Sequence, residues 1–211
     1  MKPLVLVGGG GHCESVIDVA ENAGYEILGV LDRPELREKP ILSYRVIGND
    51  DDIPKYVDVA QFVVTVGQIK NGDLRHRLVQ KVLDAGGTLA TVVSSDATVS
   101  RYATLGAGTV VMHKAFINAA AQVGSNCIIN TMANVEHDAR IGDFCHVSTG
   151  AMINGGCVIG RDCFIGSQAV IVQDVKICAG AIVGAGAIVD KDITEPGVYV
   201  GNPAVMIEEL P

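Results

Sequence analysis

The sequence predicts a small parallel α/β domain followed by a parallel β-helix of hexapeptide repeats, and three observations predict it. Every sixth residue from Val93 to Val189 is aliphatic, through seventeen consecutive hexapeptides that include Val99, Leu105, Val111 and Ile117. Helices repeat every 3.6 residues and flat strands every 2. A strict period of six suits a chain that turns a corner every six residues and returns above itself after three sides. Four residues after each aliphatic stands a second column of mostly small residues, Ala97, Ala103, Thr109 and Ala115 through Ala187 to Ile193, which fills the tight space near the corners. Ahead of the repeats, strand, glycine loop, helix and strand follow one another, the outline of a half Rossmann fold.

The length of 211 residues suits these two parts, an α/β domain over 1–90 and a β-helix with a C-terminal cap over 91–211. Aromatics make up 4 %, Trp is absent and Gly numbers 25. A thin prism explains all three, because it has no room for large rings and its corners need permissive backbone. A net charge of −8 argues against nucleic acid as a partner, whose phosphates demand clustered Lys and Arg. No apolar run is long enough to span a membrane, and Met1-Lys2-Pro3-Leu4 opens no secretory signal, so the expected location is cytoplasmic. Four of the six cysteines, Cys127, Cys145, Cys157 and Cys163, occupy the small-residue column, where they read as small buried hydrophobes rather than disulfide or metal ligands.

In chain order, residues 3–7 form an apolar strand that runs into Gly8-Gly9-Gly10-Gly11-His12. A helix follows, with Val16, Ile17, Val19 and Ala20 on its apolar face, and stops at Gly24. Ile27 to Leu31 is a second strand closed by Asp32. Residues 33–60 read as polar and irregular, with a short helix after Asn49. Gln61 to Val66 is a third buried strand ending at Gly67. Leu74, Leu78, Val82 and Leu83 mark a helix over about Asn71 to Ala85, and Thr88 to Val92 a last strand that completes βαβαβ. The prism ends near Thr194, Glu195-Pro196-Gly197 turns, and Val198 to Ala204 leaves the prism before a capping tail. The flat sides of such a prism suit burial around a threefold axis, so a trimer is expected.

Two stretches point to chemistry. Backbone N–H groups of the glycine loop, at a helix N-terminus, favour an anion such as a phosphate. The dinucleotide fingerprint is incomplete: read from Gly8 its third glycine is Cys13, and from Gly9 it is Glu14, so a smaller nucleotide fits better than NAD. Asp32 either binds a ribose or base or caps the loop. Among the histidines, His113 and His137 share the third slot of their hexapeptides, a corner that faces outward, and His146 takes the sixth. His137 lies between Glu136 and Asp138. A carboxylate that accepts from one ring nitrogen fixes the tautomer and raises the basicity of the other, and either acid can do this. His137 and His146 fall on different sides of one prism and can meet only across a groove between subunits. The spacings of 24 and 9 residues among the three histidines do not match a three-histidine zinc site whose last two ligands are close in sequence, and no metal is expected.

The hexapeptides, the Val7-to-His12 loop, Leu31-Asp32, the stretch Asn130 to His146 and Gly201-Asn202-Pro203-Ala204 together resemble the hexapeptide sugar acetyltransferases. That group holds UDP-4-amino-sugar N-acetyltransferases of bacillosamine synthesis, perosamine N-acetyltransferases and sialic acid O-acetyltransferases. The resemblance covers nearly the whole chain and implies a left-handed β-helix and direct acetyl transfer from acetyl-CoA, with active sites between the subunits of a homotrimer. It implies a nucleotide-sugar held by Gly10, Gly11, His12, Asp32, Arg33 and Gly67, with a UDP-4-amino-4,6-dideoxy sugar favoured. His137 would be the general base and Asp138 the acid that raises its basicity, while His146, Ser167 and Ala185 would bind acetyl-CoA. Arg33 stands where some members carry a second acid. Val205 follows Gly-Asn-Pro-Ala where many carry Lys or Arg, which leaves Lys176, Lys191 or Arg161 as candidate partners of the coenzyme phosphates. No Ser adjoins His137 and the cysteines sit in core slots, so no acyl-enzyme is expected. O-acetylation of a sialic acid, N-acetylation of GDP-perosamine and a non-catalytic nucleotide-binding scaffold are the alternatives.

Overall fold

The computed structural model describes residues 2–33, 35 and 40–210, which divide into two compact units, Met1–Ser95 and Asp96–Pro211. The first is built on a parallel sheet. Its strands β1 (Leu4–Val7), β2 (Ile27–Leu31), β3 (Val46–Gly48) and β4 (Gln61–Val64) lie in the order β3-β2-β1-β4. Helix α1 (Gly11–Asn22) joins β1 to β2 and α2 (Asp73–Asp84) follows β4. All four residues of β1 are buried, as a strand covered on both faces requires. The strand order reverses at β1, whose neighbours on either side are β2 and β4. In open α/β sheets that reversal opens a crevice at the carboxyl ends of the strands.

Several elements differ from the sequence reading. The segment read as irregular contains β3, and Asn49 caps a 3-10 helix over Asp50–Lys55 through a capping box with Asp52. β4 ends at Val64, not Val66. The expected closing strand shrinks to a bridge between Phe62 and Leu89 and a two-residue strand at Val92–Val93. On α2 the buried face is Arg75, Leu78, Val79 and Val82, while Leu74 and Leu83 are exposed.

The second unit is a three-sided prism of two-residue strands. One face stacks Thr104–Leu105 through Lys176–Ile177, the second Val110–Val111 through Ile182–Val183, and the third Thr98–Val99 through Ile188–Val189. Neighbours are parallel and in register, so each residue lies over the one eighteen positions away: Val135 pairs with Ile153 and Ile153 with Ile171. The aliphatic column points inward, with Ile117, Ile129, Ile153 and Ile165 fully buried, each worth roughly 1.5–3 kcal/mol. The small column is also inward, two residues earlier on the same strand face, which leaves width for the aliphatics.

Two features of the coil go beyond the periodic pattern. The fourth slot of the corner turns adopts left-handed backbone, with φ of 62° at Asp138 and Asp174 and 57° at Phe144. Gly, Asn and Asp enter that region most readily and recur there, but the coil also imposes it on Lys114, Ala120, Met132, Phe144 and Gln168. The column cysteines also donate. Cys127, Cys145, Cys157 and Cys163 send Sγ–H to the carbonyls of Gly142, Gly160, Val172 and Cys178 at 3.0–3.1 Å, as Thr109 sends its hydroxyl to Gly124 at 2.7 Å. They are core residues as expected, and they also satisfy corner carbonyls that Ala leaves without a side-chain donor. At the far end, Gly197–Val200 does not leave the prism: it extends the second face beside Ile182–Val183, and Val205–Glu209 pairs with it antiparallel.

Replacing Ile129 by Ala removes one inward side chain from a stack that cannot collapse without breaking register. The expected loss is about 2–5 kcal/mol of unfolding free energy, measured by urea denaturation with an unchanged m-value.

Candidate active site

The crevice at the sheet reversal is a cavity of about 800 Å³ lined by the glycine loop, Leu31 to Arg33, Asp50, Thr65 to Gly67, and Leu74, Arg77 and Leu78 of α2. It gathers Gly10, Gly11, His12, Asp32, Arg33 and Gly67, the residues that the resemblance singled out. The four glycines divide by cause. Gly8 has φ +103° and a Cβ there would lie 2.5 Å from Val66, while a Cβ on Gly9 would meet Ile41 and Asp32. The fold itself requires these two. At Gly10 and Gly11 a Cβ would meet nothing within 4 Å, so packing does not demand them and their bare backbone faces open space.

Asp32 spends both oxygens on the backbone. Oδ2 accepts from Gly9 N–H at 2.5 Å and Oδ1 from Arg33 N–H at 2.6 Å. Its observed part is to brace the loop. Thr65, which sequence reasoning missed, is buried and sends its hydroxyl to the Gly8 carbonyl at 2.5 Å. Cys13 stands where a third fingerprint glycine would be; burial pushes its thiol up to about 11, so it stays neutral. Arg77 was also missed. It lies one turn beyond Leu74 on the cavity side of α2 and adds a second guanidinium to that of Arg33.

The second cavity, of about 730 Å³, is in the prism. It is lined by Asn134, Glu136, His137, Asp138, Met152, Asn154, Gly155, Gly156, Val172, Gln173 and Asp174. His137 and Asp138 are the third and fourth slots of one corner, after the strand Asn134–Val135. The left-handed backbone of Asp138 swings its carboxylate back beside the ring, and His137 Nδ1 lies 2.8 Å from Asp138 Oδ2. A carboxylate only accepts, so Nδ1 carries the proton and neutral His137 keeps its free lone pair on Nε2. The choice that the sequence left open is thereby decided. Asp138 takes the ring, and Glu136 is held elsewhere, accepting from Asn118 Nδ2 at 2.6 Å and Asn134 Nδ2 at 3.2 Å. The bond from Asn118 is the main cause that holds the Glu136 carboxyl below its ordinary range. The bond to Asp138 chiefly raises His137 above the ordinary imidazole value, with the charges of Asp138, Glu136 and Asp174 adding to it.

The remaining predicted residues lie elsewhere on the prism. His146 is on the second face and is only 8 % accessible. Its ring meets Phe164 edge-on at 5.2 Å, and its Nε2 accepts from Asn130 Nδ2 at 3.1 Å. Ser167 and Ala185 are turn residues on the edge that follows that face, and Ser167 Oγ lies 3.0 Å from Ser148 Oγ. His137 belongs to the edge after the third face. One chain therefore groups His146, Ser167 and Ala185 apart from His137. His113 pairs loosely with Asp96 at 3.6 Å. Among the described residues no group of three or more His, Cys, Asp or Glu is placed to hold a metal, and no helix is long and apolar enough to cross a membrane.

Comparison with known proteins bears on this arrangement. The family model of the PglD N-terminal domain matches residues 3–82, and that of the bacterial transferase hexapeptide (six repeats) matches residues 156–191. No curated protein matches by sequence. Among solved structures, a perosamine N-acetyltransferase variant from Caulobacter crescentus in complex with CoA and GDP-perosamine is 31 % identical, with a TM-score of 0.92, over 99 % of this chain and 98 % of that one. The chain belongs to the hexapeptide sugar acetyltransferase family. Its prism is accordingly the left-handed β-helix of that family. The acetyltransferase domain of PglB from Neisseria gonorrhoeae is 30 % identical, with a TM-score of 0.91, over 98 % of this acetyltransferase and 100 % of that chain. The same domain in complex with acetyl coenzyme A matches at 29 % identity and a TM-score of 0.90, over 98 % and 99 % of the two chains.

Because Asp138 holds the His137 proton, Asp138→Asn keeps the left-handed backbone and removes the charge. The His137 titration, followed by NMR of the ring, is expected to move down toward the ordinary value of about 6.5. An unmoved midpoint would refute the assignment of Asp138 as the main cause.

Proposed function

We propose that this acetyltransferase transfers the acetyl group of acetyl-CoA to the amino group of a nucleotide-activated amino sugar, a UDP-4-amino-4,6-dideoxy sugar in the favoured reading. The observation that carries it is the His137–Asp138 pair in an open cavity, with Nδ1 engaged and Nε2 free. The solved relatives support it, since one is an N-acetyltransferase with CoA and GDP-perosamine and another an acetyltransferase domain with acetyl coenzyme A.

The sugar amine attacks the thioester carbonyl, the C–N bond forms, and Nε2 takes the proton that the nitrogen sheds. The tetrahedral intermediate collapses with loss of the CoA thiolate, which the imidazolium can protonate. Asp138 holds the ring in the one tautomer able to do this and stabilises its charged form. No acyl-enzyme intervenes: Cys127, Cys145, Cys157 and Cys163 are buried, and no serine stands beside His137 in the sequence. Holding both substrates in line can supply much of the rate.

Gly10, Gly11, His12 and Gly67 would bind the nucleotide diphosphate, with Arg33 and Arg77 as cations and Asp32 keeping the loop in shape. His146, Ser167 and Ala185 would bind the coenzyme. Because they lie on a different face from His137, the working form in this reading is a homotrimer whose sites combine two chains. Phe116 and Met152, large and exposed on the third face, are suited to such an interface. A GDP-linked 4-amino sugar is the second reading, favoured by the Caulobacter complex.

His137→Ala should lower turnover by about 10²–10⁴-fold while leaving the Kd of acetyl-CoA within twofold, by steady-state kinetics and calorimetry. Retained turnover would remove His137 as the base. A thermal-shift panel decides the nucleotide. A ligand at a hundred times its Kd adds about 2.7 kcal/mol, so UDP should raise Tm and GDP should not. The reverse result selects the second reading.

A further inference from the structure

One glycine of the prism is explained by neither the coil nor its corners. Gly155 stands eighteen residues after His137, one coil along on the same edge, and the Gly156 N–H donates to the His137 carbonyl at 3.1 Å. A Cβ built on Gly155 would lie 2.8 Å from both Cε1 and Nε2 of His137. The ring fills the space that a side chain would take.

The coil does not ask for glycine at this slot. Left-handed backbone belongs to the next residue, Gly156 with φ +70°, and Gly155 is not among the positive-φ residues. The third slot carries a side chain in every other hexapeptide: Ala119 and Gln173 on the same edge, and Ala107, Ala179 and Ala185 elsewhere. Backbone and register therefore accept alanine, and the one group that alanine would displace is the imidazole. His137 is 63 % exposed in its side chain, and the hydrogen bond that orients its ring runs to Asp138 at 2.8 Å.

We propose that Gly155 is a positioning residue for acetyl transfer. Its missing side chain lets the His137 ring lie across the next coil with Nδ1 on Asp138 and Nε2 beside the cavity. A methyl at 155 pushes the ring outward about the His137 side-chain torsions, which moves Nε2 from the reacting amine and loosens the bond at Nδ1. The inference rests on the reading of His137 as the base.

The test is Gly155→Ala, with Gly155→Ser as a larger step, in the full chain. Turnover is read with acetyl-CoA and whichever of a UDP- or GDP-linked 4-amino sugar the thermal-shift panel selects. The expected result is a kcat about a hundredfold lower, since misplacement by about 1 Å carries that penalty. KM for acetyl-CoA should stay within twofold and Tm within about 4 °C. The His137 NMR titration should fall toward the ordinary imidazole value. In a His137→Ala background, Gly155→Ala should cause no further loss. Unchanged kcat, an unmoved titration, or an equal loss without His137 would each overturn the proposal. A variant that does not fold would overturn it too, by assigning the glycine to the coil. If His137→Ala itself keeps full turnover, the base reading fails and the catalytic part of this proposal falls with it, while the titration separately decides whether Gly155 places the ring.

Discussion

The stacking of each residue over its neighbour eighteen positions away is the constraint on which the prism depends. Parallel coils in register consume the backbone hydrogen bonds of the strands, so a shift of one residue would turn every inward aliphatic outward. Each slot is thus assigned twice, by its place in the hexapeptide and by what lies above and below it. Cys127, Cys145 and Cys163 stand in one such column, and each bonds a corner carbonyl of the next coil. Asn118 and Glu136 are another stacked pair, which explains how an acid beside His137 comes to be tied down rather than free to take the ring.

The corner turn does for the ring what a second structural element does in other folds. A left-handed residue directly after His137 folds its own side chain back, so Asp138 reaches Nδ1 from the adjacent position. Alanine at that slot, as in Ala120, would keep the turn without the acceptor. The same geometry gives the imidazole its direction of titration. Raised by Asp138, it is protonated over a wider range on the acid side, and the neutral form needed to accept a proton prevails only above the raised value. Activity that depends on this base should therefore decline on acidification from a higher pH than an isolated imidazole would give.

Most of the architecture was legible because it is periodic or punctuated. The hexapeptides predict the two-residue strands of the prism through Ile188–Val189, though not the closing strand Gly197–Val200, and the glycine loop, Gly24 and Gly86 bracket the helices of the first unit. What escaped has physical reasons. Val46–Gly48 is three residues in a polar stretch, too short for a strand to declare itself, and it forms because β2 offers an open edge. The burial of His146 is invisible to a rule that counts only slots, since the sixth slot points outward. Reading eighteen residues either way shows Ile128 and Phe164 as its neighbours, and an outward position between two large apolar groups is covered. Glu136 and Asp138 flank His137 symmetrically in sequence, and they are separated by the handedness of the corner and by Asn118, stacked on Glu136 from eighteen residues away.

Glycines follow the same logic, and they mark where a periodic chain departs from its own needs. Gly8 and Gly9 are demanded by backbone and by close neighbours, whereas Gly10 and Gly11 face open space. Gly156 takes the left-handed backbone of its corner and a Cβ there would meet Asp174, whereas Gly155 has neither constraint from the coil. In a fold that repeats its requirements this often, the requirement at any slot can be read from the other coils. A residue that falls below it, by giving up a side chain the coil would accept, points to something that needs the vacated volume. At Gly155 that something is visible as the His137 ring. At Gly10 and Gly11 the volume is open beside Arg33 and Arg77, where the α1 N-terminus and two guanidiniums would favour a doubly charged diphosphate over a neutral sugar.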